Sequence, residues 1–344
     1  MKIVPVFACI LGWTLGLTLN GCVPPQLFWG FALDGNPLTE ARLKALQAET
    51  GIHADCIVFF LRWPEPNDSL TGIFPQETLD AIWDQDAVPC LTWEPMVLKE
   101  GKEIAVPCRQ ILEGAYDPFL AAFARAARTW NRPLMIRFAH EMNLQRYHWG
   151  TEAGAYGPES PGLYQEMFRY VVTHFRNEGA DNVRWVFCPN AESIPNPARD
   201  PQATWNQARN YYPGDAWVDI LGMDGYNWGT TQTKDRIGWD SRWVSFEQIF
   251  QELHAELKEL APTKPILIME TSCVDQDGAQ ARWGTDLLKT VRSWKVIGVC
   301  WFQVNKEQDW RLQKASAALI AGALKPAGGS QAQHWLRSLK HDQN

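Results

Sequence analysis

Two glutamates end apolar, strand-forming runs. Glu141 closes Pro133-Leu-Met-Ile-Arg-Phe-Ala-His-Glu141, and Glu270 closes Lys264-Pro-Ile-Leu-Ile-Met-Glu270. A carboxylate is unfavourable in a core but available for chemistry at the mouth of a barrel. Two such groups brought together can divide proton transfer from nucleophilic attack, provided that one of them keeps its proton. Arg137 lies just ahead of Glu141, and Tyr226 ends the run Asp219-Ile-Leu-Gly-Met-Asp224-Gly-Tyr226. A guanidinium and a phenol can stabilise the other carboxylate as an anion.

Groups so far apart in sequence need a scaffold that converges them. Strand-like runs fall at Leu27–Leu33, Cys56–Trp63, Val88–Trp93, Leu134–His140, Val183–Cys188, Val218–Met223, Pro265–Glu270 and Val296–Val304. Amphipathic segments lie between them at Thr39–Thr50, Gln76–Asp86, Asp117–Trp130, Gly162–Asn177, Phe246–Leu260 and Ala279–Trp294, with a last one at Ala315–Leu324. After Cys188, Pro195, Pro197 and Pro201 interrupt any helix before Trp205. Alternating β and α units imply parallel strands, and eight of them imply an α/β protein with a single (β/α)8 TIM barrel. An open doubly wound sheet is the alternative, disfavoured because no Gly-rich turn follows the first strand.

In a barrel the reactive groups gather at the C-terminal strand ends. Those ends carry Asp34, Arg62, Trp63, Trp93, Glu94, Arg137, His140, Glu141, Asn190, Glu192, Asp224, Tyr226, Glu270, Trp301 and Gln303. Residues two apart share a strand face, which groups Arg137 with Ala139 and Glu141, Ile266 with Ile268 and Glu270, and Gly222 with Asp224 and Tyr226. If that face is the barrel interior, Arg137, Glu141, Tyr226 and Glu270 meet. The bland alternative is an ion pair that merely closes the barrel mouth. Of the eighteen tryptophans, Trp63, Trp93, Trp149, Trp228, Trp239, Trp243 and Trp301 are placed on the rim, where each indole could serve either a ligand or packing.

The 344 residues are 46% hydrophobic with a net charge of −7, enough for a large core. The scattered charges exclude a basic face for nucleic acid. Residues 1–22 read as an export signal, with Lys2, an apolar stretch from Ile3 to Leu19, and a lipobox-like Leu19-Asn-Gly-Cys22. Lipidation of Cys22 would anchor the protein to a membrane outside the cytoplasm, and ordinary secretion or an uncleaved anchor are the alternatives. The barrel is assigned to residues 23–326, and 327–344 to a short polar tail. Cys56, Cys90, Cys188 and Cys300 read as buried apolar thiols, while Cys90 and Cys108 could be bridged.

Four motifs together resemble glycoside hydrolase family 26: Arg137-Phe-Ala-His-Glu-Met-Asn143 followed by Trp149-Gly150, then Trp185-Val-Phe-Cys-Pro-Asn190, then Asp219 to Tyr226, then Glu270. The resemblance implies a retaining glycosidase on a (β/α)8 barrel, with Glu141 as acid/base and Glu270 as nucleophile. It also implies that His140 shapes the subsite beside the acid/base, that Tyr226 donates to the nucleophile, and that Asp219 and Asp224 are acidic positions around the sixth strand. Trp301 would be the aromatic floor of the −1 subsite, and Trp149 would close the loop after strand four; Arg137 and Asn190 complete the binding set. The chain departs from the family pattern at Leu144, Gln145 and Arg146, which bears on the preferred sugar.

Retaining hydrolysis needs a protonated carboxyl on the leaving oxygen and a carboxylate about 5–5.5 Å from it to attack the anomeric carbon. Burial and the charge of Glu270 would hold the proton on Glu141, while Arg137 and Tyr226 would keep Glu270 ionised. Other motif readings fail. His140-Glu-Met-Asn-Leu144 lacks the second histidine of a zinc protease, and no nucleotide loop, dinucleotide fingerprint or calcium loop is present. No metal or cofactor is implied. The expectation is an exported endo-β-glycosidase of the mannanase type acting on a β-linked polysaccharide. A β-1,3/1,4-glucanase, a xylanase, a transglycosylase or a non-catalytic polysaccharide-binding barrel are the alternatives.

Overall fold

A computed structural model describes residues 27–64, 74–147, 149, 156–237, 239–324 and 330–339. The export segment and Cys22 lie outside the described residues. The strands are β1 (Phe28–Ala32), β2 (Cys56–Arg62), β3 (Val88–Glu94), β4 (Met96–Lys99), β5 (Lys102–Ala105), β6 (Leu134–Phe138), β7 (Val183–Phe187), β8 (Ile220–Asn227), β9 (Ile266–Cys273) and β10 (Gly298–Phe302). Eight of them close a parallel barrel in the order β1-β10-β9-β8-β7-β6-β3-β2, and β4 with β5 form an antiparallel hairpin that the pattern of residues did not announce. The helices are α1 (Glu40–Thr50), α2 (Gln76–Trp83), α3 (Cys108–Leu112), α4 (Asp117–Trp130), α5 (Ser160–Asn177), α6 (Lys234–Ile237), α7 (Phe246–Leu260), α8 (Ala279–Trp294), α9 (Lys314–Ala323) and α10 (Gln331–Ser338).

Alternation along the strands sorts the apolar residues into two cores. Trp29 and Phe31 face the helical layer, where they join Leu43 of α1 and Trp283 of α8. Phe28, Ala32, Cys56, Val88, Cys90, Met135, Cys188, Leu267 and Cys300 fill the interior. Gly30 belongs to that interior because a Cβ there would meet the Cys56 carbonyl oxygen at 2.3 Å and Cys300 Sγ at 2.8 Å. The bridge considered between Cys90 and Cys108 is absent: both are free thiols, Cys90 inside the barrel and Cys108 in the outer layer.

Local signals set the helix ends. Ser245 and Gln248 form a reciprocal capping box at the start of α7, satisfying two otherwise unpaired N–H groups. Asn131 and Lys295 take left-handed conformations that stop α4 and α8. After β7, short 3₁₀ turns at Pro201–Asn206 and Ala208–Tyr211 stand where a regular helix would be, as the prolines require.

The stretch assigned to a polar tail is part of the fold. Ala332 and Leu336 of α10 join the interior core, Gln333 Nε2 donates to the carbonyls of Trp83 and Ala87, and Arg184 donates to Leu339 O. The Trp335 ring lies 5.5 Å from Phe28, so α10 caps the N-terminal end of the barrel. Two bulky residues on a short polar helix suffice for this because the surface they cover is the open, apolar barrel floor.

Candidate active site

Two backbone irregularities, rather than simple alternation, bring the carboxyl groups together. On β9, Ile266 and Ile268 face the helices while Leu267 and Met269 face inward. Opposite Met223 stands Ile268 and opposite Asp224 stands Glu270, so Met269 is an extra residue; the same shift appears against β10. That bulge flips the parity of the strand and turns Glu270 into the barrel. On β6, Arg137 points inward and Phe138 outward, after which Ala139 (φ 48°) and Glu141 (φ 51°) take left-handed conformations. Ala139 packs in the outer core, so the expected grouping of Arg137, Ala139 and Glu141 fails, as does that of Ile266, Ile268 and Glu270. Tight hydrogen bonding over-determines the left-handed residues: Ala139 N–H donates to Trp93 O and Glu141 N–H to Cys188 O, at 3.1 and 2.8 Å.

Arg137 is wholly buried and organises the centre. Its Nε and Nη2 donate to Thr92 Oγ1 at 3.0 and 2.6 Å, Nη1 donates to Asp224 Oδ2 at 2.6 Å, and Nη2 also donates to Glu270 Oε1. The Tyr226 hydroxyl donates to Glu270 Oε2. Burial first, then the charge of Glu270, pushes the Tyr226 phenol far up, so it stays a donor. Both oxygens of Glu270 therefore face donors suited to an anion.

Glu141 has the opposite environment. Its Oε1 accepts from Asn190 Nδ2 at 2.6 Å. Burial, followed by the negative charge of Glu270, pushes its carboxyl up to about 7, against the smaller pull of Asn190 and Arg137. Asn190 is itself fixed: its N–H donates to Asn143 Oδ1 and its carbonyl accepts from Asn143 Nδ2, both at 2.9 Å. The pair is thus one carboxyl that holds a proton near neutrality beside one furnished as an anion.

His140 is buried, its ring 5.0 Å from Tyr147 and 6.3 Å from Phe60. Burial and then Arg137 hold its pKa well below the ordinary value, so the imidazole is neutral. One ring nitrogen lies within 4.8 Å of carboxylate oxygens of Asp224 and Glu270. A cation fits that trio poorly, because Arg137 already pairs with both carboxylates and would repel it.

The sequence matches the model of "Glycosyl hydrolase family 26" over residues 119–251, the stretch that holds Arg137, His140, Glu141, Asn190, Asp224 and Tyr226. It is 31% identical over 289 residues to Endoglucanase H of Acetivibrio thermocellus, covering 83% of this chain and 29% of that protein. The central stretch of the chain, residues 119–251, thus matches glycosyl hydrolase family 26. It is also 29% identical over 256 residues to a mannan endo-1,4-beta-mannosidase of Bifidobacterium adolescentis, covering 70% of this chain and 20% of that one. The chain spans less than a third of the length of these curated relatives. The barrel superposes on the Bacillus subtilis mannanase man26 with a TM-score of 0.58 at 16% identity, covering 86% of this chain and 85% of that one.

Asp219 and Trp301, two residues that the family 26 motifs pointed to, stand elsewhere. Asp219 lies at the N-terminal end of β8, where its Oδ2 accepts from Trp185 N–H at 2.8 Å; it clips the barrel floor, far from the mouth. Asp55 does the same for Trp29 at the start of β2. Trp301 points outward, with ring centroids of Trp29 at 6.4 Å and Trp283 at 5.9 Å, because Cys300 and Phe302 take the inward positions of β10. Its Nε1 donates to Trp310 O at 2.8 Å, so it anchors the loop that carries Trp310 behind Tyr226 and presents no face to the barrel mouth. Trp149 is only 2% exposed, stacks on Tyr147 at 5.1 Å and donates through Nε1 to His140 O at 2.5 Å, holding the loop that carries His140.

Phe302 and Trp310 pack against the Tyr226 ring at 5.6 and 5.1 Å. Trp310 lies in a loop with no strand period to mark it, and Thr92 is one of many strand threonines, so neither announced itself. Glu94, at the end of β3 beside Arg62, is buried and pushed up to about 7 by burial.

Proposed function

We propose that this chain is a retaining endo-β-glycoside hydrolase whose substrate is a β-1,4-linked mannan. The observation that carries the reading is the asymmetry of the carboxyl pair. Glu141 is desolvated beside a negative charge, whereas Glu270 accepts from a guanidinium and a phenol. Glu141 passes its proton to the glycosidic oxygen while Glu270 attacks the anomeric carbon; the old C–O bond breaks, the alcohol leaves and a glycosyl ester forms on Glu270. That ester removes the charge of Glu270, the pKa of Glu141 falls, and Glu141 then takes a proton from the water that displaces the ester. Arg137 and Tyr226 regain their anion when the ester breaks.

A β-glucan is the second reading, favoured by the alignment of Endoglucanase H along 83% of the chain. Release of reducing ends separates them: a mannanase digests β-mannan faster than mixed-linkage β-glucan, a glucanase the reverse. Binding of either polymer with no new reducing ends would sink the hydrolase. The Leu19-Asn-Gly-Cys22 motif supports a further proposal, export with a lipid anchor on Cys22. Release of a Cys22→Ala variant from the membrane fraction is the expected outcome, and unchanged membrane retention would refute it.

A further inference from the structure

Of the seven tryptophans placed on the rim, Trp63, Trp93, Trp149 and Trp301 are no more than 3% exposed. Trp228 is half-buried, and among the described residues the exposed large apolar side chains include just two tryptophans, Trp239 at 46% and Trp243 at 37%. All three lie on the segment between β8 and α7. Trp228 stands edge-on to Trp239 at 6.3 Å and edge-on to Trp310 at 4.7 Å. Trp310 meets Tyr226, the donor to Glu270. Ring-to-ring packing through the buried Trp310 therefore links the partner of Glu270 to an indole in solvent.

The segment is held in shape rather than left loose. Asn227 Oδ1 accepts from Gly229 N–H and Val244 N–H at 3.1 and 3.2 Å, pinning its two ends together. Gln276 accepts from Thr230 N–H at 3.0 Å and donates to Thr230 Oγ1 at 2.8 Å. Ser241 N–H donates to Gln232 O and Gln232 N–H to Ser241 Oγ, each at 3.0 Å. Lys234 N–H donates to Asp240 Oδ1 at 2.7 Å. An exposed indole on a pre-formed loop binds without the entropy of ordering it, and its apolar face matches the C–H face of a pyranose ring.

From this packing, and from the exposure of Trp243 on the same hydrogen-bonded segment, we infer that Trp239 and Trp243 form a distal sugar-binding platform that holds the polysaccharide chain beyond the sugar at Glu270. The inference rests on the hydrolase reading for its occupant, and the test separates the two. Glucomannan, which carries both β-linked mannose and glucose, is the long probe; 4-nitrophenyl β-mannobioside and β-cellobioside are the short ones. In the Trp239→Ala/Trp243→Ala variant, kcat/KM on glucomannan falls about tenfold, as for loss of one well-buried aromatic contact, and stays within about twofold on the aryl glycosides. Retardation in a glucomannan gel falls with it. Equal losses on long and short probes, an unchanged rate on glucomannan, or a change of oligomeric mass that marks the face as an interface between copies would each overturn the platform. If the native chain cleaves none of the probes, the hydrolase reading fails, and gel retardation lost in the variant still establishes the platform.

Discussion

Replacing Glu141 by glutamine removes its charge and keeps its shape, because a glutamine carbonyl can still accept from Asn190 Nδ2. The carboxyl titrates at about 7 in the fold and near 4.5 when unperturbed. The folded chain thus holds this proton more tightly than the unfolded chain, and the associated stability is complete below pH 4.5 and lost as pH rises through 7. At about 1.4 kcal/mol per pH unit of difference, ionisation of buried Glu141 costs about 3 kcal/mol by pH 8. Glutamine carries no such cost. The Glu141→Gln variant should therefore melt about 5 °C above the native chain at pH 8 and close to it at pH 5, measured by calorimetry at one scan rate. Its kcat/KM on polysaccharide should fall by about 10²–10⁴, and the native profile should lose activity above a pH of about 7. The same difference in melting temperature at both pH values, or an alkaline limb above pH 9, would refute the claim that burial and Glu270 hold a proton on Glu141.

The remaining expectations test the other assignments. A 2-deoxy-2-fluoro glycosyl fluoride of the cleaved sugar should label Glu270, and peptide mapping that finds the adduct on another residue refutes the nucleophile. Arg137→Met leaves Asp224 and Glu270 buried without a cation, so about 3–5 kcal/mol of stability should be lost; a melting temperature equal to the native one would contradict the buried network. Asp219→Ala strands the Trp185 N–H at the barrel floor, which costs about 1–3 kcal/mol while kcat/KM at 25 °C stays within about twofold. A hundredfold loss of kcat/KM without a stability change would return Asp219 to the site.

Much of the framework was legible because local physics decides it. The limits of α4, α7 and α8 coincide with their amphipathic runs, since a 3.6-residue period and the end residues act over one or two turns. The eight barrel strands likewise follow their apolar runs. The β4–β5 hairpin escaped notice because its outward residues, among them Leu98 at 55% and Ile104 at 41% exposure, break the polar-out pattern. The role of α10 escaped because a short polar helix reveals its apolar edge only against the surface it covers.

Within the site, residue type and order alone nominated Arg137, His140, Glu141, Asn190, Asp224, Tyr226 and Glu270, all of which the fold gathers at one mouth. Carboxylates ending apolar strands are rare enough in cores to point at chemistry. How they meet was decided in three dimensions. The extra residue in β9 is a mismatch between its register and that of two neighbours, and no side chain in Ile-Leu-Ile-Met-Glu270 encodes it visibly. The fate of each tryptophan is likewise a matter of surroundings, because one indole suits a core, an anchor or a sugar platform. Chemistry belongs to side chains and is written along the chain; orientation belongs to the register of strands and the layer on either side, which exist only once the barrel has closed.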